Sequence, residues 1–198
     1  KGMPIYTLTL TERMTCPSSC FMWKSCYGNA MPFARRNAPG PEFETKLEAE
    51  IDHKAREHRR GFVVRLHVLG DFYSAGYARL WRSLIEQHPE LHVYGYTSVG
   101  SSMDPAFVDV AAVIDDINEA YPEQCFIRHS SEDPIPGGAT VISRHPEDAN
   151  VPEGLVCPAE REKTACCATC GLCWEDGARD KTIVFIKHGM GSNRSKRR

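Results

Sequence analysis

Nowhere does this 198-residue chain approach the ~20 consecutive apolar residues that a membrane-spanning helix requires. Its opening residues, Lys1-Gly2-Met3-Pro4, lack the pattern of a secretory signal. The expectation from both is a cytoplasmic protein with no membrane partner. Neither sign of charge is in excess: 24 Lys and Arg face 26 Asp and Glu, a formal net charge of −2. A uniformly basic nucleic-acid binder is therefore not indicated, although a local patch stays open. No internal repeat is visible. Disorder is excluded by composition, because 41% hydrophobic and 25% charged residues are those of a core-forming chain.

What the chain does have is nine cysteines. Cys16, Cys20 and Cys26 form one group; Cys157, Cys166, Cys167, Cys170 and Cys173 form another; Cys125 stands alone among apolar residues as a small core side chain. An odd count without an export signal argues against a disulfide framework. Clustered thiols in a reducing compartment point instead to a metal.

Hydrophobic periodicity predicts the order β, cysteine loop, α, β, α, β, α, β, β, cysteine loop, β. The strands are expected at Ile5–Leu10, Phe62–Leu69, Leu91–Thr97, Cys125–Arg128, Ala139–Ser143 and Thr182–Lys187. The first helix enters at Pro41 and ends at Gly61, the second is closed by Pro89, and the third starts at the Asp104-Pro105 cap. The fold class is thus α/β: a partial (βα)6 barrel or an open, mostly parallel six-stranded sheet, with three crossover helices and two cysteine-rich loops. Residues 1–188 read as a single metal-binding domain, and 189–198 as a flexible basic tail available to nucleic acid.

The first group is spaced C-x3-C-x5-C in the loop leaving the first strand. Three thiolates can hold three irons of a [4Fe–4S] cubane and leave the fourth iron open to a ligand. The alternative is a zinc knuckle completed by a residue from elsewhere. In the second group, Cys167-x2-Cys170-x2-Cys173 with the remote Cys157-Pro158 has the layout of a ferredoxin site, leaving Cys166 spare. Two rivals stand beside it: Cys166-x3-Cys170-x2-Cys173 as ligands, and a four-cysteine zinc site. A redox-active cluster implies an electron donor as partner. Phe21, Trp23 and Tyr27 interleave the first group and shield it from water.

Alternation turns Arg65 and His67 to one face of the second strand, away from Val64, Leu66 and Val68. Buried polar side chains there are candidates for substrate or cofactor contact, as is Arg128 at the end of the fourth strand. His129, Lys187 and His188 also sit at strand ends. Arg35-Arg36 and the face Lys54, Arg56, Arg59, Arg60 present positive charge, by default to solvent and otherwise to phosphate.

Three cysteines after the first strand, Gly70-Asp71-Phe72 after the second and Thr97-Ser98 after the third resemble the core of the radical S-adenosylmethionine enzymes. The resemblance implies that Cys16, Cys20 and Cys26 hold an open [4Fe–4S] cluster binding S-adenosylmethionine, with Gly70, Asp71, Thr97 and Ser98 around that cofactor. It implies release of a 5′-deoxyadenosyl radical that takes hydrogen from a substrate. The C-x5-C step is longer than the usual C-x2-C of that superfamily. The phrases CPSSCFMWKSCYGNAM, RLHVLGDFYS, YGYTSVG, CATCGLCW and IVFIKHG resemble the tailed-phage "gene product 88" domain over most of the chain, which implies a phage source and no substrate. The competing class is a non-enzymatic module, stabilised by zinc or a cluster, that binds nucleic acid or a protein.

Overall fold

The computed structural model describes residues 2–102, 104–142 and 154–187. Ile5–Thr7 (β1) leads through a single helical turn, Glu12–Thr15 (α1), into the first cysteine loop. Three strand–helix repeats follow: Pro41–Glu57 (α2), Phe62–Leu66 (β2), Ala75–Gln87 (α3), Leu91–Thr97 (β3), Pro105–Ala120 (α4) and Cys125–His129 (β4). Ala139–Ile142 (β5), Gly154–Val156 (β6), the short Cys167–Cys170 (α5) and Thr182–Ile186 (β7) complete it.

The helices start where the sequence places them. Pro41 opens α2 behind Gly40, and Asp104 caps α4 by accepting the Ala106 N–H at 3.0 Å. Ser74 caps α3 by accepting from Tyr77 N–H. Leu47 and Ile51 of α2, Trp81 and Leu84 of α3, and Val110 and Ile114 of α4 bury their apolar stripes against Phe62, Val64, Leu66, Val93 and Ile127. That packing covers one face of a four-stranded parallel sheet in the order β1-β2-β3-β4.

Two expectations are corrected. Among the described residues there are seven strands rather than six, in two sheets rather than one. The second sheet is parallel, ordered β5-β7-β6, and only the isolated bridge Ser130–Ala139 links it to the first. β6 carries only three residues, too few to show alternation, and its register with Thr182–Val184 is what makes it a strand. β1 and β2 are also shorter than expected. Beyond them Leu8, Leu10, Val68 and Leu69 still exchange backbone hydrogen bonds, but the chain turns at Gly70. Gly70 has φ +87°, and a Cβ there would stand 2.6 Å from Leu10 Cβ, so the turn admits only glycine without displacement. Ser143 and the residues from His188 onward, tail included, lie outside the described residues.

The helix-free face of the first sheet looks onto the second. Tyr96 meets Phe185 of β7 edge-on at 5.0 Å between ring centroids, and Tyr94 packs on Trp174 at 4.7 Å. Arg128 is fully buried there, donating to the carbonyls of Gly137, Ala178 and Lys181 at 2.7–2.8 Å. It ties the sheets together, and its guanidinium also stacks 4.1 Å over Phe126 of its own strand.

Candidate functional site

All described strand pairings are parallel, so the residues just beyond the strands gather at one end. A cavity of about 440 Å³ opens there, lined by Asp71 after β2, Ser98 after β3, Ser130 after β4, Cys157 after β6 and Lys187 after β7. Cys16, Cys20 and Cys26 line it from one side, and Cys157, Cys167 and Cys173 from the other. The two thiol groups, far apart in sequence, thus share one cavity. All nine cysteines are free.

The first cysteine loop is held by Arg36, which forks onto Glu12 at 2.7 and 3.0 Å and reaches the carbonyls of Gly28, Met31 and Ala34. This guanidinium clamps the loop, so its charge is not offered to phosphate. Lys54 is likewise engaged by Glu57 at 2.9 Å, and Arg59 lies 3.6 Å from Glu90. Phe21, Met22 and Tyr27 line the cavity; Trp23 does not, and instead takes Arg13 over its ring at 4.4 Å.

Asp71 joins the ends of β2 and β3. Its carboxylate accepts from Thr97 Oγ1 at 2.6 Å, Ser98 N–H at 2.8 Å and its neighbour Phe72 N–H at 2.8 Å. Three donors occupy three of roughly four acceptor positions on a carboxylate. Burial pushes the Asp71 carboxyl up to about 6, against the pull of those hydrogen bonds. Thr97 does not itself line the cavity; it positions Asp71, and Gly70 and Ser98 do line it.

β3 presents a row of donors to the thiols. Ser98 Oγ–H donates to Cys20 Sγ at 3.2 Å, and Tyr96 O–H donates to Cys173 Sγ at 2.8 Å. One strand therefore touches both cysteine groups. Sequence reading missed Tyr94 and Tyr96, although their spacing of two already placed both on one face. Burial pushes the Cys16 and Cys20 thiols up, and for Cys16 the nearby Asp71, Cys20 and Cys26 add to this. Cys173 is pushed up to about 11 by burial. Such thiols lose their protons to a cation rather than to water.

Arg65 and His67 both line the cavity, whereas Arg128 does not. His67 is 7% exposed, and its Nε2 lies 3.0 Å from Tyr77 Oη. Burial lowers its pKa to about 3, so it is neutral in the folded chain. An unfolded histidine titrates near 6.5, so this contribution to stability is complete above that pH and is lost as pH falls toward 3. From pH 6.5 to pH 5 the loss is roughly 2 kcal/mol. Asp71, raised rather than lowered, acts in the opposite direction over pH 6 to 4. Urea denaturation of the wild type and His67→Gln at pH 7 and pH 5 isolates the effect: the wild type is expected to lose roughly 2 kcal/mol more than the variant. Equal losses would contradict a neutral buried His67.

The second group also lines a hollow of its own, about 20 Å³ in volume, shared by Cys157, Cys167, Cys170 and Cys173. Cys170 lines only this hollow. Cys166 is exposed and lines neither. Cys125 is buried, its thiol pushed up to about 12 by burial. His129 pairs with Asp115 at 2.7 Å. Among the described residues no three His, Cys, Asp or Glu side chains stand close enough to ligate a single ion.

Residues 2–176 match the family model described as Gene product 88. The chain belongs to the Gene product 88 family. The Gene 88 protein of Mycobacterium phage L5 is 31% identical over 148 residues, which cover 65% of this chain and 57% of that protein. The chain thus spans little more than half the length of this curated Gene product 88 relative. No solved structure matches, and neither sequence comparison points to the radical S-adenosylmethionine enzymes.

Proposed function

We propose that this Gene product 88 chain is an iron–sulfur protein with two cluster sites on one cavity, and that the first site works on S-adenosylmethionine. The observation that supports it is the convergence of both thiol groups on the cavity at the carboxyl ends of the strands. That is where sheets of this kind place their chemistry.

The donor sets fit the groups. Cys16, Cys20 and Cys26 offer three thiols, a set that suits a cubane with one iron left open; the one imidazole among the lining residues, that of His67, is directed to Tyr77 through its Nε2. Cys157, Cys167, Cys170 and Cys173 would hold the second, closed cluster. The open cluster held by Cys16, Cys20 and Cys26 would supply one-electron reductive cleavage of the sulfonium of S-adenosylmethionine, with an external one-electron donor as the source of the electron. The chain's own part is to orient and to exclude water. Asp71 fixes Ser98, and Ser98 and Tyr96 hold sulfur atoms by hydrogen bonds that tune cluster potential. In this reading the scaffold would be a partial barrel, with the Ser130–Ala139 bridge as its seam.

One observation favours a second reading for the second group alone. Its hollow of about 20 Å³ suits a single ion such as zinc, with its thiolates drawn in on binding. Anaerobic purification followed by iron, sulfide and zinc analysis tests both. About eight irons per chain are expected for two cubanes, and about four with one zinc for the mixed case. Zinc without iron would overturn the proposal. Iron-loaded protein given S-adenosylmethionine and a strong reductant is expected to form 5′-deoxyadenosine; none would remove the enzymatic half of the proposal.

A further inference from the structure

The cavity is lined by a guanidinium that no described residue answers. Arg65, on β2, points from the helix-free face of the first sheet into it. Its Nε is buried with no hydrogen-bond partner, and no ion pair or hydrogen bond reaches its guanidinium among the described residues. Of the carboxylates that line the cavity with it, Glu12 is committed to Arg36 and Asp71 to Thr97, Ser98 and Phe72, and Glu160 forms no ion pair with Arg65. Around Arg65 stand the phenols of Tyr27, Tyr94 and Tyr96, which are neutral at physiological pH because burial raises all three.

A half-buried guanidinium with an orphaned Nε and no counter-charge is costly, and folding gains nothing from leaving it so. Arg128 shows the contrast. It is more deeply buried, and although its Nε is likewise unpartnered, three backbone carbonyls take its terminal N–H groups. Arg65 is instead left facing open volume, walled by aromatic rings. A guanidinium fork matches the paired oxygens of a carboxylate or phosphate, and phenol rings pack on planar groups.

We propose that Arg65 is the anchor of a substrate subsite that takes a ring-bearing organic oxyanion, such as a nucleoside monophosphate, with the oxyanion on the guanidinium and the ring among Tyr27, Tyr94 and Tyr96. The volume of about 440 Å³ accommodates a molecule of that size. The subsite rests on the cavity and Arg65 and not on the iron–sulfur reading, whose clusters and cofactor would compete for the same volume.

The test is calorimetric titration of the full chain, purified anaerobically and assayed for iron in the same sample. The probes are nucleoside 5′-monophosphates, the matching uncharged nucleosides, benzoate and inorganic phosphate. Binding of a ring-bearing oxyanion is expected, weakened at least tenfold in Arg65→Gln and by less in Arg65→Lys. The uncharged nucleosides are expected to bind weakly and to ignore both substitutions. Benzoate against the monophosphates separates carboxylate from phosphate preference. Nucleosides binding as tightly as their monophosphates would overturn the proposal, as would unchanged affinity in the variants. It would equally fall if no probe bound, or if Arg65→Gln lost iron and kept its affinity, since Arg65 would then serve as counter-ion to the thiolates. Should Arg65→Gln fail to fold, the Lys variant decides through the same titration. Failure of the iron–sulfur reading would show separately, as absent iron in a protein that still binds the oxyanion.

Discussion

Replacing Cys16, Cys20 and Cys26 together by alanine is expected to abolish 5′-deoxyadenosine formation, to remove about half of the bound iron and to leave the fold intact. The loop keeps its shape without the thiols, because Arg36 holds it through Glu12 and three carbonyls rather than through sulfur. The second group lines its own hollow, so a metal held there is expected to remain. Iron analysis, visible absorption and a thermal melt on one preparation read all three effects. Full iron retention would remove the first group from metal binding. Loss of all iron with unfolding would show that the two sites form one folding unit.

Asp71→Ala is expected to cost roughly 3 kcal/mol of folding stability, because it strands three donors at once in a buried place. Those donors are Phe72 N–H, Thr97 Oγ1 and Ser98 N–H. The consequence runs on to the site. Ser98 is fixed by Asp71 and donates to Cys20, so the variant is expected to bind iron at the first group less tightly. Asp71→Asn is the control: its amide oxygen keeps the Thr97 contact, but its NH2 meets the Ser98 N–H donor to donor. A smaller loss is expected, about 1–2 kcal/mol, with the iron defect retained. Urea denaturation gives the stabilities and anaerobic reconstitution gives the iron. Asp71→Ala as stable as the wild type would mean that water reaches these donors.

Local chemistry was enough to read much of the molecule. The apolar stripes of α2, α3 and α4, with Pro41 and Asp104-Pro105 at their starts, specify helices because burial at every third or fourth residue has no other regular solution. The β-branched runs at 62 and 91 specify parallel strands between them. Clustered thiols mark a binding site at any fold, and the alternation in β2 already set Arg65 and His67 on one face. Three matters needed the folded chain. β6 is a strand only because β7 inserts beside it, a long-range pairing that three residues cannot announce. Arg65 and Arg128 are the same side chain on two strands of one sheet, yet the terminal nitrogens of Arg128 are taken by three carbonyls while Arg65 faces a cavity. The meeting of the two cysteine groups was decided last, since seven strands running one way bring to a common end loops that the sequence holds far apart.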